Sequence, residues 1–105
     1  MALRITVEEN EEAMIIKLEG RIAGPWVAEL DRLWEQASPT LGSRQLVLDL
    51  RETTYADSDG IRALSAIYSP TKAEILASTP WTQYLAEAVA GKNQQQSDTE
   101  VVDAN

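Results

Sequence analysis

The sequence contains no cysteine and no histidine. Without cysteine, the chain can form neither a disulfide nor a thiolate zinc site. Without histidine, it lacks the commonest metal ligand and the side chain that most often acts as a general base near neutral pH. These absences argue against most enzyme classes. We therefore expect a protein that is not an enzyme and has no catalytic residue, no metal and no cofactor.

Positive charge is also scarce, since nine Lys and Arg face seventeen Asp and Glu and the net charge is −8. An acidic surface repels nucleic acid phosphates and anionic lipid headgroups, and it suits basic protein partners. No run of about 18 apolar residues could span a membrane, and no basic segment before an apolar stretch marks a secretion signal. We expect a cytoplasmic protein that binds neither nucleic acid nor membranes.

The strands are predicted from apolar patterning in a chain of 105 residues, a length that suits one domain. Two stretches with alternating apolar residues predict a hairpin. Their apolar residues are Leu3, Ile5 and Val7, then Met14, Ile16 and Leu18. Gly20 is expected to end the second strand. The apolar run at residues 46–50 predicts a central strand covered on both faces, residues 51–56 a connection, and residues 73–77 a short strand.

Three amphipathic stretches predict helices. The first begins at Pro25, where proline suits the first helical turn, and is expected to stop at Pro39. Its predicted apolar face consists of Trp26, Leu30, Leu33, Trp34 and Ala37. The second begins near Asp57 and is expected to end at Pro70. The third runs from residues 79–80 to Gly91.

The predicted order of elements is therefore β-β-α-β-α-β-α. It describes an α/β domain at residues 1–91, with a small mixed sheet of about four strands and three helices packed on it. Residues 92–105 are rich in glutamine and acidic side chains and cannot build a core. We expect them to form a disordered tail.

Polar residues collect between the central strand and the second helix. In open α/β sheets, binding sites tend to lie at the carboxyl ends of strands, where loops lead into helices. Asp57 and Ser58 are suitable caps for the helix that follows, and Asp59 in its first turn suits the positive end of the helix dipole. A capped helix start accounts for this chemistry by itself, so a binding role needs a further signal.

That signal is a family resemblance. Residues 46–50, followed by Asp-Ser-Asp-Gly-Ile at residues 57–61, resemble the signature of STAS domains, the fold of the anti-sigma factor antagonists. In that family, a strand ending in Leu-Asp-Leu leads through a short loop to Asp-Ser-Ser/Thr-Gly and an apolar helix. Residues 18–22 are similar to the family's second strand and the turn after it, and residues 75–80 to its last strand. The resemblance covers about residues 3–91.

The resemblance implies a bacterial regulator of transcription that works by binding another protein. In the family, an anti-sigma factor with serine kinase activity binds the unmodified domain and phosphorylates a hydroxyl of this turn. The added charge, roughly −1.5 to −2, then blocks binding. Ser58 is the candidate phosphoacceptor here. The candidate partner-binding residues are Thr53, Thr54, Asp57, Ser58, Asp59, Gly60 and Arg62. The domain is expected to be a monomer or a weak dimer.

The sequence departs from the family pattern at Asp59, because the residue before the glycine is a hydroxyl in the family. If that later hydroxyl is the required acceptor, Asp59 is a permanent partial mimic of the modified state. If Ser58 serves, each flanking carboxylate opposes its phosphate by roughly 1 kcal/mol or more at about 6 Å. Two functions stay open, namely a phosphorylation switch and a STAS-type adaptor that docks without phosphorylation.

Two other classes match part of the sequence. A receiver domain also has an Asp at the end of a strand, as Asp49 is, but the spacing from Asp49 to the next glycine is too long and the proline expected after it is absent. A magnesium-dependent hydrolase would gather oxygen ligands around one ion. Its candidate ligands are Asp49, Glu52, Asp57 and Asp59. No nucleophile or base accompanies them, so both classes are less favoured than a protein-binding domain.

Overall fold

A computed structural model describes residues 2–91. In chain order, the elements are β1 (Leu3–Glu9), β2 (Ala13–Ile22), α1 (Pro25–Leu41), β3 (Gln45–Asp49), β4 (Thr53–Ala56), α2 (Ser58–Thr71), β5 (Glu74–Leu76) and α3 (Pro80–Ala90). The predicted architecture, a small mixed sheet with three helices, is confirmed. The tail predicted at residues 92–105 lies outside the described residues.

The strands form one five-stranded sheet, in which β1, β2, β3 and β5 are neighbours in that order. The predicted hairpin is confirmed, because β1 and β2 pair antiparallel with Leu3 opposite Gly20. The other pairs are parallel. The prediction that Gly20 ends the second strand is wrong. Gly20 adopts a φ of +106°, the register shifts after it, and β2 continues to Ile22. The glycine therefore makes an irregularity within the strand instead of ending it.

The strands β3 and β4 lie one after the other along the same edge of β2. Lys17 faces Asp49 in β3, whereas Ile22 faces Ala56 in β4, so two extra residues are inserted between the two pairs. The plain connection predicted at residues 51–56 is therefore wrong in its second half, which pairs with β2. Counted as one interrupted strand, β3 and β4 agree with the predicted order of elements.

The core lies between the sheet and the three helices. Alternate residues of β2 and β3 join the helices in one buried cluster, and a fully buried leucine stabilises the fold by roughly 1.5–3 kcal/mol. The cluster includes Met14, Ile16, Leu18, Leu46, Leu48, Leu30, Leu64 and Leu85. Val47 is not part of this cluster, because it points to the other face of the sheet. We call that second side the open face. The residues of β3 on this side, Val47 and Asp49, are also buried, which agrees with the predicted burial of the central strand on both faces.

The two prolines predicted to stop helices instead lie inside their last turns. Pro39 is within α1 and Pro70 is within α2. A proline so near a helix end breaks only a terminal hydrogen bond. The threonine after each proline adds a hydrogen bond within the last turn, from the Thr40 hydroxyl to the Ala37 carbonyl (2.7 Å) and from the Thr71 hydroxyl to the Ile67 carbonyl (2.8 Å). Both helices therefore end slightly later than predicted.

The last two predicted elements are confirmed. The short strand expected at residues 73–77 is β5, and α3 begins after Thr79 and ends at Gly91. Thr79 caps this helix by accepting a hydrogen bond from the Thr82 backbone N–H (3.1 Å). In the part of the chain that the structure describes, no helix has the length and apolar character needed to cross a membrane.

Candidate functional site

The turn that contains the candidate residues lies where β2 and β4 both end. These strands run parallel, so their carboxyl ends meet at one edge of the sheet, and α2 begins directly after β4. The Asp57 backbone N–H donates to the Ile22 carbonyl (3.2 Å), which ties the start of α2 to the end of β2. The position is the one at which α/β sheets commonly bind their ligands.

Asp57 joins the starts of two helices. Its Oδ1 accepts a hydrogen bond from the Gly60 N–H (2.7 Å), so Asp57 is the N-cap predicted for α2. Its Oδ2 accepts a second one from the N–H of Gly24 (3.3 Å), the residue just before α1. Both carboxylate oxygens therefore have backbone partners, and the side chain positions the turn.

Gly60 allows the first turn of α2 to lie directly against β2. A β-carbon at this position would overlap the carbonyl oxygen of Ile22, and it would also crowd the Ile22 side chain. The glycine is buried and has ordinary helical backbone angles. A glycine is therefore needed here for close packing, and not for a left-handed backbone conformation. The glycine of the Asp-Ser-x-Gly motif thus has a structural role.

Ser58, Asp59 and Arg62 form the outward part of the turn. All three are exposed, and Asp59 and Arg62 make an ion pair with 3.4 Å between Oδ1 and the guanidinium nitrogen. Their side chains remain 69% and 65% exposed, so this pair contributes little to stability. Ser58 and Arg62 are four residues apart in α2 and therefore share a face. These residues are available to a partner.

Thr53 and Thr54 have opposite environments, although both were expected to contact a partner. Thr54 is exposed. Thr53 is 2% exposed and donates its hydroxyl to the Leu18 carbonyl (2.9 Å), which corrects its predicted role. Its carbonyl accepts a hydrogen bond from the Trp81 indole N–H (3.0 Å), so Thr53 links β2, β4 and α3. Thr53 supports the turn from within the fold.

Tyr55 is an exposed aromatic residue beside the turn that the sequence reasoning missed. It is 41% exposed, and the Arg21 guanidinium lies 4.4 Å from the centre of its ring, an arrangement typical of a cation–π contact. Exposed tyrosine and arginine are enriched where proteins bind proteins. The available signal was an aromatic residue two positions before the motif, within a segment predicted to be a connection.

Asp49 lies on the open face and is engaged by Arg51. The Arg51 side chain donates to both carboxylate oxygens, at 3.0 and 2.9 Å, and its backbone N–H donates to Oδ1 at 3.1 Å. These hydrogen bonds hold the pKa of Asp49 below its ordinary value, although burial acts in the opposite direction. Among residues 2–91 no three acidic side chains are close enough together to hold a metal ion. The four carboxylates of the magnesium alternative therefore do not form one site.

Comparison with solved structures identifies the fold. The structure resembles an anti-sigma factor antagonist from Mycobacterium paratuberculosis, with a TM-score of 0.70, 18% identity, and coverage of 90% of this chain and 82% of that one. The chain has the STAS fold. A STAS domain from Rhodobacter sphaeroides gives a TM-score of 0.52 at 16% identity, over 72% of this chain and 85% of that one.

A third STAS-fold neighbour is the anti-sigma factor antagonist SpoIIAA in its unphosphorylated form. Its TM-score is 0.59 at 12% identity, over 78% of this chain and 80% of that one. No protein-family model matches the sequence, and no curated protein matches it significantly. The relationship to these STAS domains therefore lies in the fold.

Proposed function

We propose that this STAS-fold domain is a regulatory protein-binding module in the manner of the anti-sigma factor antagonists. Its contact surface consists of the exposed residues Thr54, Ser58, Asp59 and Arg62, positioned by Asp57 and Gly60. The partner is an anti-sigma factor with serine kinase activity, and the encounter takes place in the cytoplasm. The observation that supports this most strongly is the division of the motif into two residues that hold the backbone, Asp57 and Gly60, and two exposed ones, Ser58 and Asp59.

Two residues of the motif hold the turn in position, and the other two are available for contact with a partner. Asp57 and Gly60 are occupied with the ends of β2 and α1, so their residue types are explained by the fold. Ser58 and Asp59 have no such duty, because their exposed side chains do not hold the turn together. Helix capping and the helix dipole favour Ser58 and Asp59 without requiring them, so we propose recognition as the further reason for these two residues.

Phosphorylation of Ser58 is the proposed switch. Ser58 is exposed in the first turn of α2, where a phosphate gains from the positive end of the helix dipole and from Arg62 one turn later. Asp59 opposes it, both by its own charge and by its ion pair with Arg62. At a surface that must lose its water to bind, the new charge would prevent docking. One neighbour in fold is described in an unphosphorylated form, which is consistent with such a switch.

A phosphorylation-independent adaptor is the second candidate, and Asp59 is the observation that favours it. The carboxylate stands beside Gly60, where the family has a hydroxyl, and it is already paired with Arg62. In this version, the negative charge belongs to the docking surface permanently, and the partner binds it without any modification.

We also propose that the domain works by binding and not by catalysis. The Asp57 carboxylate accepts two backbone hydrogen bonds, and the Asp49 carboxylate accepts three hydrogen bonds from Arg51. The Asp49 and Asp57 carboxylates are thereby engaged in holding the structure, whereas a general base needs an oxygen directed at a substrate.

Titration of purified anti-sigma-factor-type kinases from the source organism tests the proposal. The wild-type domain is expected to bind one of them, and Arg62→Glu is expected to weaken binding tenfold or more, as loss of about 1.4 kcal/mol or more implies. Arg32→Glu is the matched control, because Arg32 also makes an exposed ion pair with an acidic residue three positions away, on α1. Equal weakening by both variants would contradict a specific surface.

Incubation of the same complex with ATP separates the two versions of the function. Mass measurement of the wild type, Ser58→Ala and Asp59→Ser is expected to show one phosphate on the wild type and none on Ser58→Ala if Ser58 is the switch. Binding without any phosphate, unchanged in Ser58→Ala and lost in Asp59→Ala, would establish the adaptor instead. Absence of binding to every kinase of this class would refute the proposed partner.

A further inference from the structure

The strand β1 has an unpaired outer edge. It stands at the end of the strand order, and in the described part of the chain it pairs with β2 alone. Proteins usually protect such an edge with a proline, a bulge, a very short strand or charged side chains. The seven residues of β1 contain no proline, their register with β2 is unbroken from Leu3 to Glu9, and their charges are of both signs, at Arg4, Glu8 and Glu9. The edge is therefore suited to pairing with another strand.

The central five residues of β1 are complementary to themselves in an antiparallel pair. Residues 4–8 are Arg-Ile-Thr-Val-Glu, so antiparallel pairing with a second β1 centred on Thr6 puts Arg4 opposite Glu8 and Ile5 opposite Val7. Arg4, Thr6 and Glu8 all point to the open face, and Ile5 and Val7 point to the side of the helices. Opposite charges and β-branched residues at directly facing positions stabilise antiparallel pairs.

The charges at the two ends of this pattern are free to pair between copies. Among residues 2–91, neither Arg4 nor Glu8 takes part in an ion pair. Each copy has a net charge of −8, so two copies repel one another over most of their surfaces. The β1 edge offers Arg4 of each copy to Glu8 of its symmetry mate, and this makes it a favourable place for approach.

A groove with a partly apolar lining runs beside the same edge. It has a volume of about 340 Å³ and lies between β1 and α1, where Leu3, Ile5, Trp26 and Leu33 line it together with Glu29, Arg32 and Gln36. In the antiparallel arrangement, Val7 of the second copy would lie opposite Ile5, on the side of this groove. Pairing would then cover apolar surface as well as satisfy backbone groups.

We propose that two copies of this chain form a dimer by antiparallel pairing of their β1 strands, centred on Thr6. The two five-stranded sheets become one continuous sheet, and the contact is the same on both copies, as two-fold symmetry requires. This inference does not rest on the proposed function, because β1 contains none of the residues of the kinase-binding surface.

A charge-reversal cycle tests both the dimer and its register. Sedimentation of the wild type between about 1 µM and 1 mM is expected to show a concentration-dependent dimer. Arg4→Glu and Glu8→Arg are each expected to weaken it about tenfold or more, because each reversal turns two symmetry-related attractions into repulsions. The double variant restores the attractions at the original net charge, so it is expected to dimerise within about threefold of the wild type.

The control for net charge is Lys72→Glu, which changes the charge as Arg4→Glu does but lies next to β5 at the opposite edge of the sheet. It is expected to leave dimerisation nearly unchanged. A wild type that stays monomeric throughout would overturn the proposal, and so would a double variant that dimerises no better than the single ones.

Cysteine crosslinking gives an independent readout, because the chain has no cysteine of its own. Thr6→Cys puts two thiols on the two-fold axis, so mild oxidation is expected to yield a covalent dimer rapidly. Arg4→Cys, whose symmetry mate lies four strand positions away, and Thr54→Cys, exposed at the distant turn, are expected to crosslink slowly. Equal rates for the three variants would contradict this pairing.

Discussion

At the scale of single residues, the Asp-Ser-Asp-Gly motif combines two kinds of chemistry. Asp57 and Gly60 are needed for the backbone path, because one caps α2 and the other permits contact with β2. Ser58 and Asp59 point outward. Two of the four motif residues hold the backbone and two are exposed, and only the position of β2 shows which are which. Substitutions within the motif should therefore differ in their effect on stability.

Gly60→Ala is expected to destabilise the domain by about 1–3 kcal/mol, the usual range for inserting a methyl group into a packed site. The added methyl meets the Ile22 backbone, which cannot rotate away as a side chain can. Urea denaturation followed by circular dichroism measures the change. Ser58→Ala, an exposed substitution in the same turn, should stay within about 0.5 kcal/mol of the wild type. Equal effects would show that α2 does not pack as described.

Asp49 makes the stability of the folded domain depend on pH in the acidic range. Hydrogen bonds from Arg51 give this carboxyl a lower pKa in the folded protein than in the unfolded chain. Its contribution is therefore complete above the unfolded pKa, about 3.9, and is lost as pH falls through the folded value. Asp49→Asn should be less stable than the wild type near neutral pH, and the difference should shrink as pH falls below about 4. Urea midpoints across that pH range measure it, and a constant difference would contradict this role.

At the scale of elements, β4 is the piece that organises the site. It continues the line of β3 along β2 after two extra residues, and it brings the chain to the start of α2. Its place is secured by Thr53, whose hydroxyl bonds to β2 and whose carbonyl accepts from Trp81 of α3. The last helix therefore supports the turn although it is remote from it in sequence.

Trp81→Phe should cost more stability than Trp34→Phe. Both changes remove similar ring area from half-buried sites, but only Trp81 has an indole hydrogen bond among the described residues. Loss of that bond is expected to add about 0.5–1.5 kcal/mol to the destabilisation. Chemical denaturation of the two variants gives the comparison. If Trp34→Phe proved equally or more costly, the contact between α3 and β4 would not stabilise the fold as inferred.

Local patterning predicted most elements because strand alternation and helical periodicity follow directly from which face is buried. It failed at β4, whose exposed Thr54 and Tyr55 separate the buried Thr53 and Ala56 and leave no alternation. It also failed at Pro39 and Pro70, because a proline near a helix end removes a single backbone hydrogen bond and the helix continues past it. Whether the last turn tolerates that loss depends on the surroundings of the helix end, which periodicity does not describe.

At the scale of the whole molecule, a single buried cluster joins the sheet to all three helices. One core shared by every element implies cooperative, two-state unfolding for a domain of this size. The double variant Trp26→Phe/Trp34→Phe leaves Trp81 as the sole tryptophan. Its fluorescence, which reports on α3 and β4, should change at the same urea concentration as far-ultraviolet circular dichroism at a fixed protein concentration. Separate transitions would show that the site unfolds apart from the core.

The sequence by itself determined the fold class, the hairpin, the approximate helices and the position of the motif, because these follow from local periodicity and capping chemistry. Only the tertiary structure decided which motif residues are exposed, since the burial of Thr53 and Gly60 depends on β2, which is remote from both in the chain. It likewise decided that β1 is an edge strand with a self-complementary face. Strand order depends on contacts between segments that are distant in the sequence, and no local pattern encodes those contacts.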